Sequence, residues 1–287
     1  MADGFSLAAA LLPQELRDRA AALPLPLREQ TEEIRLRTGF PASLRLRSGE
    51  HGFGCGPVTE KTLAAVVENA SRASYHAVAD QLRRGYLSAP GGVRVGVCGT
   101  AVTDGGIRAL RELSSLCIRV PRQIRDAGKS VIPLLRDGSV LILSAPGGGK
   151  TTFLRELIRT VSDSGTAVCV ADERGELAGM WNGAPQFDLG RCTDVLTGAP
   201  KAEAAMLLLR AMGPEVVAMD EISAPEDAAA IETLLGCGVR IFATAHASGA
   251  EEFRSRPIYA RLAGLGAFQK LVVIRGGGAR EYEVERL

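Results

Sequence analysis

Lysine is scarce in this chain: of 34 basic residues only five are Lys, the rest Arg, and with 33 acids the net charge is +1. No basic run stands out, so nothing in the charge balance asks for nucleic acid or an anionic membrane as partner. Aromatics make up 5% of the residues, with a single Trp, too sparse for a base-stacking platform. No apolar stretch approaches the ~18 residues of a membrane span. The apolar run Ser6–Leu12 is short and lacks the basic flank of a signal peptide. The six cysteines (Cys55, Cys98, Cys117, Cys169, Cys192, Cys237) form no C-x-x-C pair, which argues against a metal site or a disulfide framework. Several lie in apolar strands, where Cys acts as a small core residue, and the set reads as cytoplasmic and reduced. What remains, 46% apolar and 23% charged over 287 residues, is one large or two modest globular domains.

Glycine, by contrast, is concentrated where it says most. The apolar strand Val140–Leu143 runs straight into Ser144-Ala145-Pro146-Gly147-Gly148-Gly149-Lys150-Thr151-Thr152, and a helical pattern over 150–163 follows. Strand, glycine loop, Lys-Thr and helix in that order make a phosphate-binding P-loop. Successive glycines let backbone N–H groups turn toward phosphate oxygens, and the helix N-terminus adds partial positive charge. The ligand class is therefore a nucleoside triphosphate with Mg²⁺: Lys150 reaches the terminal phosphates and Thr151 the metal. Ser144 stands where the pattern has its first glycine, and a small residue suits that turn.

Downstream, an apolar strand over 216–220 ends in Asp220 and Glu221. A carboxylate at such a tip holds Mg²⁺ through its water shell, the Walker B role, here Asp220. Glu221 beside it is the candidate to orient and deprotonate the attacking water. A strand over 167–171 ends in Asp172-Glu173-Arg174, and one over 239–244 ends in Thr244-Ala245-His246. Ligands of open parallel sheets sit at the carboxyl ends of the strands. Four tips should thus converge on one nucleotide, with Glu173 as a further catalytic acid and His246 as a γ-phosphate sensor.

Further strands are predicted at 139–143 and 270–275 and further helices at 200–212, 226–236 and 251–263; Gly276–Gly278 then turns the chain into a hairpin partner at 281–285. This alternation predicts a mostly parallel α/β sheet covered on both faces. A glutamate directly after the Walker B aspartate points to the RecA-like, additional-strand branch of P-loop folds. There the strand ending at His246 inserts between the P-loop strand and the Walker B strand.

Residues 1–125 read as a small N-terminal α+β domain and 126–287 as the P-loop domain, with the boundary in 121–137. Glu33–Arg37 and Ser43–Arg47 alternate apolar and charged or polar residues like half-exposed strands. Helical stretches near 60–70 and 74–84 precede a hairpin over Tyr86–Cys98 with a Gly91-Gly92 turn, and Cys117–Val120 is one more strand. The Gly- and Pro-rich stretch 175–201, holding Trp181, argues against a long regular element and for a functional loop at the nucleotide edge.

These residues closely resemble stage III sporulation protein AA, a family of ATPases of endospore-forming bacteria. The matching segments are Glu33–Arg37, Gly91–Gly96, Gly147–Thr152, Val170–Glu176, Pro185–Gly190, Thr193–Leu196, Pro200–Glu203, Asp220–Ile222 and Thr244–His246. The family in turn looks like secretion and pilus-retraction motor ATPases, in which an acidic box, a Walker B strand and a Thr-x-His box surround a nucleotide between subunits of a ring. Carried over, Asp172-Glu173 is the acidic box and Thr244-Ala245-His246 the histidine box. The resemblance implies a homo-oligomer, a hexameric ring, on the mother-cell side. It would energise membrane-embedded sporulation channel proteins between mother cell and forespore. Two other readings use the same core: a RecA-like nucleic-acid motor, opposed by the +1 charge, and an ATP-gated scaffold with little turnover, opposed by Glu221.

Overall fold

The computed structural model describes residues 3–72, 79, 81–276 and 280–286. It divides into two compact units, residues 1–122 with 179–186, and residues 123–178 with 187–287.

In the first unit three short helices, α1 (Gly4–Ala9), α2 (Gln14–Ala21) and α3 (Leu25–Gln30), precede strands β1 (Glu33–Arg37), β2 (Pro41–Leu46) and β3 (Gly49–Pro57). Helix α4 (Glu60–Ser71) follows, then β4 (Tyr86–Ala89), β5 (Val93–Thr103) and β6 (Ile107–Arg119). The strands form a sheet in the order β3-β2-β1-β6-β5-β4, antiparallel throughout. Strand β1 shows why: Ile34 and Leu36 are buried while Glu33, Arg35 and Arg37 stay at the surface, the period-two pattern of a one-sided sheet. Helix α4 starts at a reciprocal Thr59–Thr62 capping box and sends Leu63, Val66 and Ala70 into the core with Ile34, Leu36 and Leu87. The predicted helix at 74–84 falls largely outside the described residues. The predicted strand at 117–120 is the end of the 13-residue β6, whose earlier part mixes Ile107, Leu110 and Leu113 with Arg108, Arg111 and Glu112, is mostly exposed, and so forms no continuous apolar run.

The second unit follows strand–helix alternation: β7 (Val140–Ser144), α5 (Lys150–Asp163), β8 (Val168–Asp172), β9 (Thr193–Thr197), α6 (Lys201–Met212), β10 (Val216–Met219), α7 (Pro225–Gly236), β11 (Arg240–His246), α8 (Ala250–Ser255), α9 (Pro257–Gly264), β12 (Lys270–Arg275) and β13 (Glu281–Arg286). The sheet order is β13-β12-β7-β11-β10-β8-β9. All neighbours are parallel except the terminal hairpin β12–β13. Strands β7, β8 and β10 are buried along their whole length, as parallel strands with both faces covered must be. As the sequence predicts, β11 lies between the P-loop strand β7 and the Asp220 strand β10. Among the described residues no helix is long and apolar enough to cross a membrane.

Two expectations need correction. The helix predicted over 251–263 is two helices, because Pro257 pushes Arg256 into an extended conformation (φ −85°, ψ 130°) that ends α8 and starts α9. The stretch 175–201 contains the edge strand β9, paired in parallel with β8. Its Thr-Asp-Val-Leu-Thr sequence is half-exposed and lacks the apolar run that marks the inner strands.

Candidate functional site

The parallel register brings four strand ends level. His246 pairs with Ser144, Ala243 with Met219, and Ala171 with Met219, so Asp220, Thr244 and Asp172 emerge side by side. The loop after β7 is closed by Gly148 N–H donating to the Ala145 carbonyl at 3.1 Å. Gly147 (φ +74°) and Gly149 (φ +98°) both take left-handed conformations that only glycine enters without strain. Ala145, Pro146 and Gly147 are exposed at the apex, whereas Lys150 is buried and Thr151 and Thr152 half-buried.

The Lys150 ammonium donates to the Ser144 carbonyl (3.1 Å), Ser144 Oγ (3.3 Å) and the Ala145 carbonyl (3.4 Å). It also lies 3.0 Å from His246 Nδ1. Burial pushes its pKa down, against the pull of Asp220 and Glu221. Because an ammonium only donates, Nδ1 accepts and the imidazole proton sits on Nε2, 3.2 Å from Glu221 Oε1. The other Glu221 oxygen is 3.5 Å from exposed Arg174. Lysine, histidine, glutamate and arginine thus form one chain of contacts.

Asp220 is held by two hydroxyls: Thr151 Oγ1 donates to Oδ2 at 2.8 Å and Thr244 Oγ1 to Oδ1 at 2.5 Å. Desolvation pushes its carboxyl up, against these two hydrogen bonds. The same Thr244 oxygen accepts the Glu221 N–H at 2.8 Å. Glu221 needs that support, since its φ of +53° is a costly conformation for a residue with a Cβ.

Asp172 does something else. It is 2% exposed, and its carboxylate accepts the N–H groups of Glu176 (2.9 Å), Leu177 (3.2 Å) and Ala178 (2.9 Å). It anchors the start of the 175–201 stretch. Glu173 is likewise outside the Lys150–Glu221 chain: it accepts from Lys201 Nζ at 3.3 Å, and Lys201 also lies 3.5 Å from Asp227. Glu173 and Glu221 do line one cleft, together with Asp172, Arg174, Lys201 and Asp220.

Sequence reading gave no role to Arg155, which is buried in α5. It donates to the Glu176 (2.8 Å) and Leu177 (2.9 Å) carbonyls and lies 4.0 Å over the Phe187 ring. Burial lowers its pKa to about 10. Its face of the helix, shared with Thr151, Thr152, Ile158 and Arg159, carries no apolar signal that would single it out, and the abundance of arginine hides it.

A family model described as "Sporulation stage III, protein AA" matches residues 12–282. The chain belongs to the stage III sporulation protein AA family. It is 33% identical over 263 residues to the stage III sporulation protein AA of Bacillus subtilis (strain 168), covering 88% of this chain and 85% of that one. Among solved structures it is similar to the ATPase DotB of Yersinia pseudotuberculosis, with a TM-score of 0.62 at 12% identity over 96% of this chain and 80% of that one. It is also similar to the pilus retraction motor PilT with bound ADP, with a TM-score of 0.60 at 15% identity over 91% of this chain and 80% of that one. At such identities the likeness is one of fold: a RecA-like P-loop α/β domain with a smaller α+β domain.

Proposed function

We propose that this chain is an ATP-hydrolysing motor that works as a homo-oligomeric, hexameric ring and energises a sporulation channel. The observation that carries the reading is the continuous contact chain from Lys150 through His246 to Glu221, beside the Thr151–Asp220 pair. It joins a phosphate-binding lysine to a carboxylate fit to activate water, which a binding loop alone does not need.

The roles follow from the chemistry. The N–H groups of the loop over 144–152 wrap the phosphates, and Lys150 exchanges its carbonyl partners for terminal phosphate oxygens. Glu221 orients the attacking water and takes its proton. His246, bridging Lys150 and Glu221, reports the γ-phosphate to the base. Glu173 acts at one remove, fixing Lys201 at the start of α6. Thr151 and Asp220 offer a hydroxyl and a carboxylate side by side, hard oxygen donors that suit Mg²⁺, and Asp220 makes no ion pair among the described residues. They would hold Mg²⁺, which when bound neutralises charge on the phosphate oxygens. No group of three or more His, Cys, Asp or Glu among the described residues is arranged to hold a metal, so the remaining ligands come from the nucleotide and water. The ring, and its docking on membrane-embedded channel proteins from the mother-cell cytoplasm, rest on family membership and on the motors the fold resembles.

The test is Mg²⁺-dependent phosphate release by the full chain. Lys150→Ala should lose nucleotide binding, whereas Glu221→Gln should bind ATP and fail to turn it over. Hydrolysis that persists in either variant sinks the assigned roles. Particle mass in an ATP analogue decides the ring.

A further inference from the structure

We propose that Arg280, at the start of the terminal strand, binds the diphosphate portion of the nucleotide from within the same subunit. The inference rests on the reading of residues 144–152 as an ATP site and adds a ligand contact from the opposite end of the domain sequence.

Arg280 lies against the last glycine of the loop. A Cβ built on Gly149 would meet its guanidinium at 2.6 Å (Cζ), 2.8 Å (Nε) and 2.9 Å (Nη2). An aromatic pair sets this placement: the Tyr282 ring packs on Phe153 of α5 with centroids 5.1 Å apart. Arg280 and Tyr282 are two residues apart on extended chain, a separation of about 6.7 Å. Gly149 and Phe153 are four residues apart at the head of a helix, about 6 Å. The two spacings match, so anchoring Tyr282 on Phe153 carries Arg280 onto Gly149.

The electrostatics there are inverted. Gly149 is the N-cap of α5, no side chain caps the helix, and its first turn contains no acid. Instead the positive end of the helix faces Lys150 and Arg280, the reverse of what the helix dipole favours. Arg280 is half-buried and takes no hydrogen bond or ion pair among the described residues. Lys150 has Asp220 and Glu221 nearby, but Arg280 at the uncapped head of α5 makes no ion pair among the described residues, and it becomes favourable there when a polyphosphate arrives. The N–H groups at the end of a P-loop cradle the α- and β-phosphates, so Arg280 over Gly149 addresses the part that ATP and ADP share. Its planar fork matches two phosphate oxygens at once.

The test is calorimetric titration of the full chain with MgADP and with MgATP. Arg280→Ala should weaken both by the same factor, on the order of 10- to 100-fold for a lost charge-assisted contact. Arg280→Gln, which keeps a polar side chain without the charge, should lose as much, and Arg280→Lys should recover part. Arg275→Ala breaks the exposed Arg275–Glu283 ion pair (3.1 Å) of the same hairpin and should leave both affinities unchanged. The proposal is overturned if Arg280→Gln binds like the wild type, if Arg275→Ala loses as much, or if the loss is confined to ATP. Nucleotide binding that Lys150→Ala abolishes and Arg280→Gln keeps would leave the P-loop reading standing and remove this one. A wild-type chain that takes up neither nucleotide removes both.

Discussion

Two neighbouring strands of the nucleotide domain end in the same dipeptide, Asp-Glu, and use it in opposite ways. At the tip of β8, Asp172 is sealed by three backbone N–H groups and Glu173 is tied to Lys201. At the tip of β10, Asp220 is held by two threonine hydroxyls, and Glu221 by an imidazole and an exposed arginine. Backbone donors cannot move away without unfolding a turn, so they make a carboxylate an anchor. Hydroxyls, imidazole and guanidinium can turn aside when a ligand comes. The dipeptide is the same; its neighbours decide whether it builds or reacts.

Substitutions should separate the two tips. The largest contrast is between the glutamates. Glu221→Gln should cut steady-state phosphate release by about 10²–10⁴-fold, the usual worth of a general base. Glu173→Gln should cost no more than about fivefold, as for a partly exposed ion pair. Equal losses would make the two tips functionally alike. Next are the aspartates, compared by denaturant unfolding. Asp172→Ala should destabilise the protein by about 3 kcal/mol, because three N–H donors are orphaned. Asp220→Asn, which keeps the shape, one oxygen acceptor for Thr244 and an amide N–H that can donate to the Thr151 hydroxyl, should leave stability nearly unchanged while turnover collapses. A smaller effect is expected at Thr244: Thr244→Val removes the hydroxyl shared by Asp220 and Glu221 and should lower kcat about tenfold, with Thr244→Ser restoring it. The smallest is a pH slope. Burial raises the Asp172 pKa above its ordinary 3.8, so the native state keeps a proton that the unfolded chain releases. Stability should therefore fall as pH rises from about 4 through the raised native value and level off above it. Asp172→Asn should lack this component, seen as a flatter plot of unfolding free energy against pH.

Much of this contrast was invisible in the sequence. The apolar runs that end at Ser144, Asp172, Asp220 and His246 announced buried parallel strands, because strands covered on both faces need uninterrupted apolar residues. The place of β11 between β7 and β10 came instead from the Asp220-Glu221 dipeptide, which points to the additional-strand branch of P-loop folds. What periodicity does not encode is which partner a carboxylate meets. The three N–H donors of Asp172 belong to a turn six residues long, legible only once the turn is folded. Strand β9 was missed because an edge strand of Thr, Asp and Val needs no apolar run. Arg280 and Arg155 were hidden by composition: among 29 arginines, none stands out until its neighbours are known.

The serine that breaks the P-loop pattern carries an evolutionary consequence. Its hydroxyl donates to the Ala145 carbonyl at 2.8 Å, and its side chain fills the space where a Cβ on Gly148 would sit, 2.5 Å from Oγ and 2.8 Å from the Ser144 Cβ. The two positions are therefore epistatic. With Ser144 in place Gly148 is locked; Ser144→Gly removes the two closest contacts and leaves the Ala145 carbonyl, 3.1 Å away, as the one a small side chain at 148 must still push aside.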